Sequence, residues 1–381
     1  MKYKCKKIVL EHPIGIWKQF EMEEKILFQN AAERELLIGV RRHTAIPAGG
    51  DCGEYPYTLG MIPFFGSDAG EKWQRLGNEW IAFEFYFVFR DGAACVYYID
   101  EPPKIQDIPI EKRKHEMQKS HSDYMDWMDM FENIKREIRR GIVEKVVLSR
   151  EVEFISGQKI RIESVLQNLL EQNRDSFVFA YQRNDKTFLG ATPEILVSKK
   201  HNQIKSYALA GTIAKNGKQD ELLGKQLLAD QKNNREHRIV VDAIAGIMKN
   251  AAGRVRIGKT ELLELKNLFH LKTELTAEND SFNLLQWAGM LHPTPAMGGE
   301  PKGKAMELIR TFETHDRGMF AAPIGIIDKN GDGIFVVGIR SALIEENKVY
   351  AYAGCGIIEQ SDCRDEYEET DHKLRTILEA L

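Results

Sequence analysis

GIFVVGIRSALIEENKVYAYAGCGII, residues 333–358, sets the reading of the whole chain. Two runs rich in β-branched and aromatic residues flank a polar turn at Glu345–Asn347, which predicts two strands. An amphipathic helix is predicted right after them, from about Arg364 to Leu381. Upstream, KVVLSREVEF (145–154) reads as a buried strand, and WIAFEFYFVFR (80–90) as another, followed by a turn and ACVYYID. Tyr124, Trp127, Met128, Phe131, Ile134 and Ile138 follow helical spacing, with Gly141 as the stop. A second long helix is expected over 219–250, with Leu223, Leu227 and Leu228 early and Ile239, Val240, Ile244 and Ile247 late. GGDCGEYPYTLG (49–60) reads as a loop. The Pro- and charge-rich stretch 101–122 reads as a linker or an excursion over the surface. Strands and helices mix without a βαβ rhythm, which predicts an α+β architecture with large, mostly antiparallel sheets.

The chain has 381 residues, 43% apolar and 29% charged, so there is ample material for a core and disorder is excluded as the main state. Lys plus Arg total 53 against 57 Asp plus Glu, a formal charge of −4, which argues against a bulk electrostatic nucleic-acid binder. The five cysteines are scattered and form no CxxC pair, as expected in a reducing compartment. The basic start MKYKCKKIVLEHPIG lacks the apolar stretch of a secretory signal, and no run approaches the ~20 apolar residues of a membrane span. A cytoplasmic protein with no membrane or nucleic-acid partner is expected. No repeat of 20–50 residues is present, which argues against a solenoid.

The last predicted helix carries the most chemical information. Glu366, Glu369 and Lys373 share one face. Two carboxylates one turn apart repel unless something positive sits over them, and a hard cation such as Mg²⁺ is one candidate. On this helix alone a solvated acidic face remains the plainer reading. Glu236 lies on an otherwise apolar helix stripe, where an ionised carboxylate needs a partner: a metal, or Arg235 or Arg238. His237 alone reads as structural. LAGTIA (209–214) and YAGCGII (352–358) read as Gly-rich turns after strands, either tight turns or bulges, or places where a ligand approaches the backbone. Lys145 opens its strand; pointing inward it could act as a base, pointing outward it snorkels to the surface. Glu194, in LGATPEILVS beside apolar neighbours, could stay protonated and serve as an acid. No phosphate-binding loop, GxSxG motif or Cys/His arrangement is present.

Taken together and in order, KVVLSR (145–150), FLGATPEILV (188–197), ALAGT (208–212), REH (235–237), HLKTEL (270–275), LHPTPAMGG (291–299), DRGMFAAPIG (316–325), GDGIFVVGIRSA (331–342), AYAGCGII (351–358) and EYEETDHK (366–373) resemble the chorismate-utilising enzymes. Within these, the isochorismate synthases of menaquinone and siderophore pathways are the most similar. The resemblance implies a single large α+β domain with two mostly antiparallel sheets flanked by helices, residues 1–119 being its variable N-terminal part and 120–381 its chorismate-binding core. It implies Mg²⁺ as cofactor, held by Glu236 and Glu369 with Glu366 close by. It implies Lys145 as the general base that activates water and Glu194 as the general acid that protonates the leaving hydroxyl. Gly211, Thr212, Arg340, Gly354 and Lys373 would line the substrate site, with His270 near the ring.

The implied reaction adds water at C2 of chorismate, expels the C4 hydroxyl and shifts the ring double bonds. Ala210 stands where the aminodeoxychorismate synthases carry a nucleophilic lysine, and Lys145 where the ammonia-using anthranilate synthases lack one. Water is therefore the implied nucleophile, and no glutaminase subunit is expected. Three positions depart from the family pattern: MFAAPIG (319–325) for YxGPIG, Cys355 for alanine, and Asn233 for an acidic residue. A salicylate synthase, which would go on to eliminate pyruvate, is the rival reading. A non-catalytic chorismate-binding protein is the alternative of another class.

Overall fold

The predicted strand at 145–154 runs from Lys145 to Ser156 in the structure, a computed structural model that describes residues 2–46, 52–66, 70–74, 76–77, 79–121, 123–217 and 219–381. It pairs antiparallel with Lys348–Ile357, and at its other edge with Met117–Lys119 and Gly299–Glu300. From Lys348–Ile357 the ladder continues through Ser341–Glu345, Lys186–Thr192, Phe177–Arg183, Lys25–Asn30 and Glu35–Ile46 to Glu79–Arg90. There it turns into a second limb: Tyr57–Met61, Pro323–Asp328, Gly333–Val337, Ile195–Lys200, Gln203–Ala214 and Leu268–Glu278. Every one of these pairings is antiparallel, as the sequence predicts. The two sheets are limbs of one continuous ladder, joined at Glu79–Arg90.

Alternation along the strands lets both faces bury apolar groups. Ile26 and Phe28 enter one core with Trp80 and Phe335, while Leu27 between them enters another. Helices Ile162–Gln172 and Cys363–Leu378 close that second core with Leu166, Leu169, Leu374 and Ile377. Helix Tyr124–Arg139 covers Val146 and Leu148 with Trp127, Phe131 and Ile134. Gly141, at φ +70°, follows its end as predicted. No helix among the described residues is long and apolar enough to cross a membrane.

Four readings of the sequence need correction. The run 333–344 is not one strand. It leaves the second limb at Val337 and re-enters the first at Ser341, so Gly338–Arg340 is the crossing between limbs. The helix expected over 219–250 is two, Asp220–Ala229 and Gln231–Ala252. Asp230 between them is extended (φ −70°, ψ 122°) and its carboxylate accepts the Asn233 N–H, which makes it the N-cap of the second helix. The Gly-rich segments 209–214 and 352–358 lie largely inside strands rather than after them. Gly211, at φ +80°, sits where the register slips between Ala210 and Thr212, a bulge that favours glycine. Of the loop expected at 49–60, residues 49–51 lie outside the described residues and Tyr57–Gly60 belongs to strand Tyr57–Met61.

Candidate active site

A cavity opens where the two limbs, helix Gln231–Ala252 and the last helix meet. Glu194, Gly211, Thr212, Glu236, His270, Arg340, Gly354, Glu369 and Lys373 all line it, so nine of the sequence-predicted residues share one space. The other two, Lys145 and Glu366, join it through the partners described below.

Lys145, fully buried, places Nζ 2.8 Å from Glu236 Oε1. The approach is close but poorly aligned, and Nζ has no well-directed hydrogen-bond acceptor. Glu236, on helix Gln231–Ala252, therefore pairs with a lysine from strand Lys145–Ser156, not with Arg235 or Arg238. Burial alone would raise the Glu236 carboxyl, yet Lys145, Lys373 and Lys232 prevail and hold it below its ordinary range. Gly356 makes room for the pair: a Cβ there would fall 2.2 Å from Glu236 Oε1 and 2.6 Å from Lys145 Cε.

Glu194 sits between strands Lys186–Thr192 and Ile195–Lys200, its backbone N–H bonded to Thr192 Oγ1 and its carbonyl accepting from Val337. Burial pushes its carboxyl up to about 8, against the opposing pull of Lys145, Lys373 and Arg340. It is a protonated acid at neutral pH, beside cations that do not ionise it.

Arg340 occupies the crossing between limbs with φ +50°, an uncommon conformation for a side-chain-bearing residue, and it is buried. Burial lowers its guanidinium to about 10. One of its N–H groups meets His270 Nε2 at 2.9 Å. Arginine only donates, so Nε2 accepts and the ring proton of the neutral imidazole sits on Nδ1, 3.0 Å from Thr212 Oγ1. Burial, Arg340 and Lys373 push His270 well below its usual pKa, in keeping with that neutral tautomer.

Lys373 donates to the Gly354 carbonyl (2.8 Å) and pairs with Glu369 at 2.6 Å. Burial is the strongest single influence and opposes its charge, yet the ammonium is raised on balance, chiefly by Glu369. Glu366 is buried and takes Lys232 Nζ at 2.7 Å. Burial first and Glu369 second raise its carboxyl, so the acidic face of the last helix turns inward rather than into solvent. Thus Glu236, Glu366 and Glu369 each carry one lysine.

Sequence reasoning overlooked several residues here. Lys232 is one. Asn233 is another in its structural role: its Oδ1 accepts the Thr212 N–H at 3.0 Å and so braces the Gly211 bulge. Phe320 and Tyr352 stack (centroids 5.4 Å apart) to form an aromatic wall, a pairing that no spacing reveals. Arg317, fully buried, is held by Glu313 and donates to the carbonyls of Val147 and Met297, two lining residues. His237 is structural, as expected: its ring meets the Ala210 carbonyl and Thr273 Oγ1. A wider cleft beyond Arg340 carries two ion pairs on its rim, Lys215 with Glu264 and Lys266 with Glu379.

The donor set of Glu236, Glu366 and Glu369 is oxygen-only and suits a hard divalent cation. The three are not gathered round a point here; among the described residues only Glu11, His12 and Asp107 bring three ligand-type atoms within 4.8 Å of one another.

The family model described as chorismate binding enzyme matches residues 98–381. The isochorismate synthase MenF of Bacillus subtilis is 40% identical over 68% of this chain and 56% of its own length. The salicylate biosynthesis isochorismate synthase of Pseudomonas aeruginosa is 38% identical over 67% of this chain and 54% of its own. The match thus spans little more than half of these relatives. In fold, the chain is similar to the menaquinone-specific isochorismate synthase MenF of Escherichia coli: TM-score 0.84, 22% identity, covering 99% of this chain and 95% of that one.

Proposed function

This chain belongs to the chorismate-binding enzymes, and from that premise we propose that it is an isochorismate synthase, converting chorismate to isochorismate for menaquinone or siderophore biosynthesis. One observation carries the reading: a buried amine without a well-directed acceptor, Lys145, stands by the same cavity as a buried protonated acid, Glu194. A general base and a general acid are what the hydration needs, each worth ~10²–10⁴-fold.

In its neutral amine form, Lys145 Nζ takes a proton from the water whose oxygen bonds to C2. Glu194 gives its proton to the C4 hydroxyl, which departs as water while the ring double bonds shift. Arg340 and Lys373 supply fixed positive charge for the two carboxylates of chorismate. His270, with Nδ1–H bound by Thr212, offers no free acceptor while Arg340 holds Nε2, so it orients Arg340 rather than moving protons. The bulge at Gly211 and the glycine at 354 bring backbone close to the ring. Phe320 and Tyr352 keep that side of the cavity dry. Glu236 and Glu369, with Glu366 beside them, are the residues that would hold Mg²⁺. When bound, the ion supplies a positive centre for a substrate carboxylate and takes up the Glu236 charge that now faces Lys145.

Residues 1–119 complete the same domain in this reading, and the enzyme works on free chorismate in the cytoplasm without a glutaminase partner. Product analysis tests it. Incubation with chorismate and Mg²⁺ is expected to give isochorismate without pyruvate, and no conversion once Mg²⁺ is chelated. Pyruvate with salicylate would reassign the chain as a salicylate synthase, and binding without turnover would reduce it to a binding protein.

A further inference from the structure

Three glutamates and three lysines interlock beside the cavity: Glu236 with Lys145, Glu369 with Lys373, and Glu366 with Lys232, at 2.8, 2.6 and 2.7 Å. The formal charge of the six is zero, so the cluster already contains its own counter-ions. The lysines differ in their freedom. The Lys145 side chain is 1% exposed and that of Lys373 is 14% exposed and tied to the Gly354 carbonyl, whereas that of Lys232 is 33% exposed. Lys232 stands in the first turn of helix Gln231–Ala252, one turn before Glu236, and reaches inward to a glutamate that is almost wholly buried. Of the three, it alone has a short way out to solvent.

We propose that Lys232 is an internal competitor of the divalent cation: its ammonium holds Glu366 in the cation's place and must swing outward when the cation binds. The geometry fits on two counts. The carboxylate oxygens of Glu236, Glu366 and Glu369 do not converge while each faces its own lysine. Glu366 and Glu369 repel each other electrostatically, and with Lys373 taken by Glu369, Glu366 needs a positive partner of its own, a lysine or a cation. Lys232 meets that need and in doing so sets the strength of cation binding. The lysine is a positioning residue, since it acts on the carboxylate and not on substrate. The inference rests on the proposed cation site.

Mn²⁺ binding without chorismate, read from the electron paramagnetic resonance signal of the free ion, tests it on the full-length protein. Lys232→Gln is expected to bind Mn²⁺ roughly tenfold tighter, because a unit charge is removed a few ångströms from a divalent ion in a partly screened position. Lys232→Arg, which keeps the charge, is expected to stay within about twofold of the wild type. A melting-temperature control reads the same balance: without added cation Lys232→Gln melts lower than wild type, and Mn²⁺ raises its melting point by more. If Lys232→Gln binds Mn²⁺ equally or more weakly, while the wild type binds and Glu369→Gln does not, the competitor role is refuted and the site stands. If the wild type binds no Mn²⁺, or Glu369→Gln binds it unchanged, the cation site itself is refuted and the inference falls with it.

Discussion

Glu194 is the group whose removal reads both chemistry and stability. Its carboxyl, ordinarily near 4.5, stands at about 8 because it is buried. As the proton donor it must be protonated in the free enzyme, which holds for about nine molecules in ten at pH 7 and one in ten at pH 9. Once Lys145 is the neutral amine, the kcat/KM for chorismate is expected to fall about tenfold per pH unit above 8. In Glu194→Gln the rate drops roughly 10²–10⁴-fold and this descending limb disappears. Stability moves the other way. The unfolded chain loses the Glu194 proton first, near its ordinary pKa. Folding therefore grows less favourable from about pH 4.5 up to about 8 and levels off above, a loss of up to about 5 kcal/mol at 1.36 kcal/mol per unit. Glutamine has no proton to lose. The melting point of Glu194→Gln should pull ahead of the wild type as pH rises from 5 to 9, by several degrees at the top of the range. Paired pH–rate profiles and thermal melts of both proteins check this. A melting-point gap independent of pH would show that Glu194 is not a buried neutral acid.

Lys145→Ala is expected to lose at least about 100-fold in turnover while calorimetry still detects chorismate binding in the presence of Mg²⁺; near-native turnover would remove Lys145 as the base. Gly356→Ala pushes a methyl against Glu236 Oε1 and Lys145 Cε. Both are movable side-chain atoms, so the melting point should hardly change while kcat falls at least about tenfold, and a normal kcat would mean the pair need not be this close. Asn233→Ala deletes the acceptor of the Thr212 N–H and should cost about 1–2 kcal/mol in chemical denaturation together with a rise in KM; an unchanged KM would show that the Gly211 bulge holds without its brace.

What was legible in the sequence was whatever repeats locally. Helix Tyr124–Arg139 and strand Lys145–Ser156 follow from period and β-branching, and the last helix follows from its amphipathic face. The break at Asp230 escaped notice because no glycine or proline marks it, only a capping aspartate inside an otherwise helical pattern. The crossing at Gly338–Arg340 escaped because Ile339 and Arg340 fit a strand until the partner strands are known. In the site, residue types on recognisable segments could be named in advance, but pairings across the chain could not. Lys232 lies four residues before Glu236, which suggests an intrahelical pair, yet it bonds Glu366, 134 positions away. The aromatic wall of Phe320 and Tyr352 likewise depends on where two limbs meet.

The ladder that turns at Glu79–Arg90 bears on how such a chain can diverge. The family model begins at residue 98, but the strands from Lys25 to Arg90 before it stitch Phe177–Arg183 of one limb to Pro323–Asp328 of the other. That stitching is made of main-chain amides and carbonyls, which every residue except proline provides alike. A seam of this kind constrains the path of the chain far more than its wording. Most substitutions that keep the alternation of buried and open positions leave it intact, whereas one deleted strand would open two sheet edges at once and expose them to other molecules.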